Sequence, residues 1–154
     1  MLIFLDIDGV MVPAKGWKSP ELLNDGFPAF SSKASHALQS LISEDTTVIL
    51  STSHKSNYTI EDWKSIFRKR GINVQKIKSL DSNVDNFSRA DEILNWFKAN
   101  NRNEPFIIID DDKSLNSLPD FLKRNLVLTS PLVGLTDEHV ENIKAILNKD
   151  LHIV

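Results

Sequence analysis

LIFLDIDGV, at residues 2–10, is the stretch from which the fold of this chain is predicted. Four apolar residues from Leu2 to Leu5, without polar alternation, are typical of a strand buried on both faces, as in a parallel sheet flanked by helices. Asp6 and Asp8 follow this strand, and Gly9 permits a sharp turn. Because open parallel sheets bind ligands beyond the carboxyl ends of their strands, both aspartates are candidate site residues.

The same stretch has two simpler interpretations. Aspartate and glycine are ordinary turn residues after a strand. The spacing also resembles the start of a calcium-binding EF-hand loop, but the further oxygen ligands and the final glutamate of that loop are missing. A second acidic cluster, which follows another apolar run, favours a functional site over a turn.

Composition limits the classes of protein to consider. The chain has 154 residues, which suits one domain with its own core. Its 18 basic and 21 acidic side chains give a formal charge of -3, so no overall basic surface indicates nucleic acid. The absence of cysteine excludes disulfides and thiol nucleophiles and fits a reducing compartment. Without a signal-peptide pattern or a membrane-spanning apolar stretch, we expect a cytoplasmic protein without membrane contact, and nothing indicates an obligate protein partner.

Strands and helices are predicted to alternate along the whole chain. Apolar runs predict strands at 2–5, 47–50, 72–77, 106–109 and 126–128. Apolar periodicity and capping residues predict helices at 31–42, 59–71, 88–100 and from 136 onward. This alternation predicts an α/β fold, in which right-handed crossovers place helices on both faces of a parallel sheet of about five strands.

Residues 11–30 are predicted to form a short flap, because they hold three of the six prolines. The flap either packs on the core as a connection or covers the carboxylates as a small lid. Its Lys15, Trp17 and Lys18 could contact nucleic acid, with the indole stacking on a base. Alternatively, Trp17 packs on the core and the lysines are solvated. With this flap included, residues 1–154 are predicted to form a single domain.

Three consecutive aspartates, Asp110, Asp111 and Asp112, follow the apolar run 106–109. Adjacent carboxylates repel one another and resist burial unless a cation neutralises them. Mg²⁺ is the economical choice, because it binds few carboxylates, keeps several waters and pairs with phosphate oxygens. An exposed acidic turn is the alternative.

Hydroxyl side chains follow the predicted strand at 47–50, as the aspartates follow the runs at 2–5 and 106–109. Ser51, Thr52 and Ser53 can donate hydrogen bonds to a phosphate oxygen there, but serine and threonine are also routine turn residues. Ser51 follows the apolar run directly and is the preferred candidate, with the other two as alternatives.

In the order and placement of these motifs the chain resembles the phosphatases of the haloacid dehalogenase (HAD) superfamily, and in particular the small HAD domain associated with Swiss Army Knife RNA repair proteins. The resemblance rests on DIDGV at 6–10, VILST at 48–52, Arg89, and IIDD at 108–111. It implies a three-layer, Rossmann-like fold with a minimal cap. Val10 stands where many members have threonine, a position that serves the turn more than the chemistry.

The resemblance also implies roles for individual residues. Asp6 would be the nucleophile and Asp8 the general acid and base, with Ser51 and Arg89 completing the catalytic set. The phosphate would be bound by Ser51, Thr52, Lys55 and Arg89. Mg²⁺ would be held by Asp6, Asp8, Asp110 and Asp111, while the role of Asp112 is open. Lys55 and Lys78 compete with Arg89 as the cation that stabilises the phosphate.

The implied function is magnesium-dependent hydrolysis of phosphomonoesters through an aspartyl phosphate, with nucleic-acid ends as candidate substrates. A phosphatase of nucleotides or sugar phosphates is one alternative. A non-catalytic module that binds a metal or nucleotide is another, as is a receiver-like domain. In a receiver the acidic pair follows the first strand and the phosphorylated aspartate lies mid-chain, whereas here the acidic run comes late.

Overall fold

The computed structural model describes residues 1–14, 21–80, 87–100 and 104–152. In these ranges five strands form one sheet in which every pairing is parallel. They are β1 (Leu2–Leu5), β2 (Thr47–Leu50), β3 (Lys76–Ser79), β4 (Phe106–Asp110) and β5 (Leu126–Leu128), in the spatial order β3-β2-β1-β4-β5. The first strand is therefore central, with β2 and β4 as its two neighbours.

Helices cover both faces of the sheet, which confirms the predicted three-layer α/β fold. They are α1 (Ser32–Leu41), α2 (Ile60–Lys69), α3 (Arg89–Asn100), α4 (Asp120–Lys123) and α5 (Asp137–His152). Core residues of α1, α2 and α5 pack on one face, and those of α3 and α4 pack on the other. This arrangement buries β1, β2 and the apolar part of β4 from both sides, as their unbroken apolar runs predict.

Capping residues explain where the helices begin and end. The Ser31 hydroxyl accepts from the Ala34 N–H at the start of α1. Thr59 and Asp62 form the predicted reciprocal capping box of α2. After α2, Gly71 has φ of +79°, and the Ile72 N–H donates back to the Phe67 carbonyl, so the chain leaves the helix in a left-handed turn.

The third strand begins four residues later than the sequence predicts. Ile72 and Val74 are buried, but Ile72 closes the helix turn, and sheet pairing starts where Lys76 lies beside Thr47. Both lysines of β3 are exposed at the edge of the sheet. Charged residues protect an edge strand from pairing with other chains. The strand itself was predicted, and only its bounds are shifted toward the C-terminus. Short helical turns at Lys55–Asn57 and Lys113–Ser117, and helix α4, were not predicted.

Residues 21–30, the second described part of the predicted flap, are anchored to the end of α2. Arg70 forms a two-pronged ion pair with Asp25, at 2.8 and 3.1 Å. Its guanidinium also donates to the Phe27 and Pro28 carbonyls and lies 5.0 Å from the centre of the Phe30 ring. The side chains of Arg70 and Phe27 are both buried, and the arginine satisfies the carbonyls of the loop.

Replacing Asp25 by asparagine is expected to reduce the free energy of unfolding by about 2 kcal/mol at neutral pH. Hydrogen bonding to Arg70 lowers the pKa of Asp25 from 3.8 to about 2. Because the folded-state pKa is the lower one, the stabilisation is complete above about pH 4 and is lost as the pH falls toward 2. Denaturant unfolding from pH 7 downward should show the difference from wild type shrinking in that window.

Glu21→Gln, at an exposed position of the same loop, is the matched control and should unfold like wild type. A difference between Asp25→Asn and wild type that is independent of pH would show that the ion pair is not its cause.

The described residues include no helix that is both long and apolar enough to cross a bilayer.

Candidate active site

The register of the sheet brings three predicted site residues to one edge. Leu5 of β1 lies beside Leu50 of β2 and Ile109 of β4, so the next residue of each strand reaches the same level. The ladder continues through these residues, since the Asp6 N–H donates to the Ile109 carbonyl (3.1 Å) and the Ser51 N–H donates to the Leu5 carbonyl (3.0 Å). Asp6, Ser51 and Asp110 therefore meet at the carboxyl end of the sheet, where ligands of such sheets bind.

Asp6 is buried, with 4% of its surface exposed. Its Oδ1 accepts a hydrogen bond from the Ile7 N–H at 2.9 Å. The Arg89 guanidinium lies 3.5 Å from the same oxygen. The carboxylate is thus held by the backbone on one side and faces a cation on the other.

Asp110 is the second fully buried carboxylate. Its Oδ2 accepts from Arg89 Nη1 at 2.7 Å, and its Oδ1 accepts from the N–H groups of Asp111 (2.8 Å) and Asp112 (3.0 Å). Arg89 is the first residue of α3 and reaches both Asp6 and Asp110. The predicted serine cap of this helix is present, as the Asp91 N–H donates to the Ser88 hydroxyl.

The pKa values of this cluster are shifted by burial and by neighbouring charges. Burial, and then the charge of Asp110, raises the pKa of Asp6 to about 8, although Arg89 acts in the opposite direction. Burial also raises the pKa of Asp110 against the effect of Arg89. Burial disfavours the charged form of Arg89, but the two carboxylates outweigh it and raise the pKa of Arg89. One arginine does not neutralise the buried acids, so the site can accept a further cation.

Asp6, Asp110 and Asp111 form the carboxylate cluster that could hold a metal ion in the described residues. Each offers an oxygen, and these oxygens lie within 4.8 Å of one another. Gly9, with φ of +80°, makes room for this cluster, because a Cβ there would overlap the Asp111 carboxylate. Hard oxygen ligands with excess negative charge suit Mg²⁺. The donor set therefore fits the cation that the sequence predicts.

The other two aspartates lie outside this cluster. Asp112 caps the turn at Lys113–Ser117 through the Ser114 N–H, and this hydrogen bond lowers the pKa of Asp112. The Asp8 side chain is 59% exposed, and its Oδ2 lies 2.8 Å from His54 Nε2. His54 was not among the predicted site residues, although its position in STSHK at 51–55, directly after β2, was the available signal.

The three hydroxyl candidates have different surroundings. Ser51 is 1% exposed, and no described residue forms a hydrogen bond with its Oγ. The Thr52 Oγ1 is buried and accepts from the His54 N–H at 3.3 Å, so it serves the turn. Ser53 is exposed. A buried hydroxyl without a protein partner is costly, which makes Ser51 the one that best fits a ligand.

A polar cavity of about 440 Å³ opens beside these groups. It is lined by Ser51, Ser53, Lys55, Ser56, Phe87, Arg89, Glu92 and Asp112. Lys55 is 8% exposed and pairs with Glu92 at 3.1 Å. Lys78, the other rival of Arg89, is exposed on the edge strand and does not line the cavity. The flap residues Lys15, Trp17 and Lys18 lie outside the described residues.

The parallel three-layer fold and the acidic site at the end of its central strand define an α/β protein of the HAD type. The chain matches, over residues 2–140, the family model described as the HAD domain in Swiss Army Knife RNA repair proteins. It belongs to that family, which supports a HAD-type phosphatase at the level of the superfamily. Searches of curated proteins and of solved structures found no significant match.

Proposed function

We propose that this chain is a magnesium-dependent phosphomonoester hydrolase that works through an aspartyl phosphate on Asp6. The observation that carries the proposal is the position of the buried Asp6 carboxylate, which contacts Arg89 beside a polar cavity. Arg89 and the unpartnered Ser51 hydroxyl both line that cavity. A nucleophile, a cation and a hydrogen-bond donor thus lie together where a phosphate can enter.

In the first step an Asp6 oxygen attacks phosphorus, and the phosphorus–oxygen bond to the leaving group breaks. Asp8 gives its proton to the leaving oxygen. In the second step Asp8 takes a proton from water, which attacks the aspartyl phosphate and releases phosphate and free Asp6. The exposed position of Asp8 suits this exchange, because its proton must come from water in every turnover.

Asp6, Asp110 and Asp111 would hold Mg²⁺. When bound, the ion would act as a Lewis acid and reduce the repulsion between the anionic nucleophile and the anionic phosphate. The raised pKa of Asp6 supports this requirement, since without a further cation burial favours the protonated carboxyl, which is a poor nucleophile.

The chain's own donors would bind the transferred phosphate. Ser51 can donate its hydroxyl to a phosphate oxygen, which would satisfy a group that has no described partner. Arg89 would counter the charge that develops around phosphorus. Lys55 would donate a hydrogen bond to a phosphate oxygen from the same cavity, where its pairing with Glu92 offsets its charge. Thr52 would support the turn that presents Ser51 and Lys55, since its carbonyl accepts from the Lys55 N–H.

A phosphorylated nucleic-acid end is the substrate class that we propose. Helix α2 alone fills the chain between β2 and β3 apart from a short helical turn, so no inserted domain closes over the site there. An open site suits a phosphate carried by a large body. Phe87 is 45% exposed on the cavity wall, where an aromatic ring can stack on a terminal base.

With Mg²⁺, a phosphorylated oligonucleotide end is expected to be hydrolysed with higher kcat/KM than the corresponding mononucleotide, and a chelator should abolish both reactions. The advantage should fall as salt rises, because contacts to the backbone are electrostatic. Phosphate release from both substrates, at low and moderate salt, is the measurement.

Phe87→Ala should lower kcat/KM on the oligonucleotide by about 10-fold, the cost of one lost stacking contact. Phe121→Ala, at a similarly exposed phenylalanine on α4, is the matched control and should leave it unchanged. If a mononucleotide or a sugar phosphate is the better substrate at both salt concentrations, the chain is a small-molecule phosphatase.

A further inference from the structure

His54 makes a contact that the proposed chemistry has not used. Its Nε2 lies 2.8 Å from Asp8 Oδ2, and this nitrogen can donate a hydrogen bond to the ionised carboxylate. Asp8 is otherwise a mostly exposed side chain in the turn that follows β1. One hydrogen bond is then sufficient to favour a single orientation of its carboxylate.

The His54 ring is itself held in place by packing. The His54 and Phe27 rings pack in a T-shaped arrangement, with an interplanar angle of 83° and a centroid distance of 5.5 Å. The ring does not cap the helical turn at Lys55–Asn57, although His54 stands at the capping position. Its backbone is also fixed, since its N–H donates to Thr52 Oγ1 and its carbonyl accepts from the Asn57 N–H. These contacts therefore orient the imidazole independently of its hydrogen bond with Asp8.

Phe27 is in turn fixed by the loop and by α2. It is 2% exposed and contacts the rings of Tyr58 and Trp63 edge to face, at 5.5 and 5.4 Å. Its carbonyl accepts from Arg70 at 2.8 Å, and its N–H donates to Asp25 Oδ1 at 3.0 Å. The loop at 21–30 thus forms a continuous path of contacts from the end of α2 to the Asp8 carboxylate.

We propose that His54 is a positioning residue that orients the Asp8 carboxylate toward the leaving-group oxygen, and that the loop at 21–30 holds His54 for this task. The proposal rests on the function proposed above. His54 transfers no proton in this scheme; Asp8 alone gives and takes it. The loop at 21–30 thus supports the general acid through the contact of Phe27 with His54.

The expected kinetics follow from the role of His54, which affects the reaction only through the orientation of Asp8. A general acid contributes most when the leaving group is a poor one, so loss of its orientation should slow an alkyl phosphate more than an aryl phosphate with an acidic leaving group. We expect His54→Ala to lower kcat on an alkyl phosphate by about 10-fold with little change in KM, because misplacement of a reacting group lowers the rate of the chemical step. On the aryl phosphate the loss should be about 2-fold or less.

A double-mutant cycle with Asp8→Asn separates positioning from a general structural effect. In the Asp8→Asn background, adding His54→Ala should cause no further loss, since the group that His54 orients has already been removed. His54→Gln can place an amide N–H near the position of Nε2 and should recover part of the activity. His36→Ala, at an exposed histidine on α1, is the matched control and should behave like wild type.

Thermal melting is the check that every variant is folded. The values of kcat and KM are then measured on both substrates. Equal losses on alkyl and aryl phosphates, or losses that multiply in the double mutant, would overturn the positioning role, as would wild-type activity of His54→Ala. The comparison requires that wild type hydrolyses both esters and that Asp8→Asn slows this hydrolysis. If wild type hydrolyses neither of these esters nor a phosphorylated oligonucleotide end, the proposed function fails instead, and the two failures are therefore distinguishable.

Discussion

Asp6→Asn is expected to lower kcat for phosphomonoester hydrolysis by at least about 10⁴-fold, which corresponds to about 5 kcal/mol of barrier. An amide cannot form the aspartyl phosphate, so the two-step route is lost. The substitution keeps the shape of the side chain and an oxygen that can accept from the Ile7 N–H. It also removes one of two adjacent buried carboxylates, so the variant should fold at least as well as wild type.

The measurement is phosphate release together with covalent labelling. Acid quenching during turnover of a substrate with a labelled phosphate should leave label on wild type and none on Asp6→Asn. Asp120→Asn, at an exposed aspartate on α4, is the matched control for both readouts. Undiminished turnover by folded Asp6→Asn would falsify the proposed mechanism.

Mg²⁺ is expected to raise the melting temperature by about 5 °C at a concentration well above its Kd, and the increase should be larger at pH 8 than at pH 6. The pKa of Asp6 is raised from 3.8 to about 8 in the folded protein, so the folded state binds an extra proton between those values. The unfolded state binds fewer protons in that window. The metal-free protein therefore loses stability as the pH rises through it. A cation that replaces the proton offsets this loss.

Adjacent aspartates provide the matched pair of variants. Asp111→Asn removes an oxygen of the cluster and should weaken the response to Mg²⁺ while slightly stabilising the metal-free protein. Asp112→Asn changes a residue that caps a turn outside the cluster and should keep the response. Melting curves with and without Mg²⁺ at the two pH values test both. An unchanged melting curve for wild type at millimolar Mg²⁺ would show that the cluster binds no metal and that its aspartates are only turn residues.

Local sequence was sufficient to predict most of the fold. β1, β2 and β5 have the predicted bounds, because each is a short, mostly apolar run that stops at a polar residue. Capping residues located the starts of α1, α2 and α3, since a cap is a local hydrogen bond between residues close in sequence. The bounds of β3 were an exception, because Ile72 closes the turn after α2 and sheet pairing starts only at Lys76. The short helical turns were the other exception, because they need no apolar run of their own.

What the sequence determined about the site is which side chains stand at the strand ends: Asp6, Ser51 and Asp110. Only the tertiary structure decided which of the neighbouring residues join them. Parallel pairing of β1 with both β2 and β4 brings these three to one level, and Arg89 reaches two of the carboxylates from a different element. The contact of His54 with Asp8 and the burial of Arg70 against the loop at 21–30 join residues more than 40 positions apart. Such contacts leave no periodic pattern in the sequence, because they depend on how whole elements pack and not on the residues beside them in the chain.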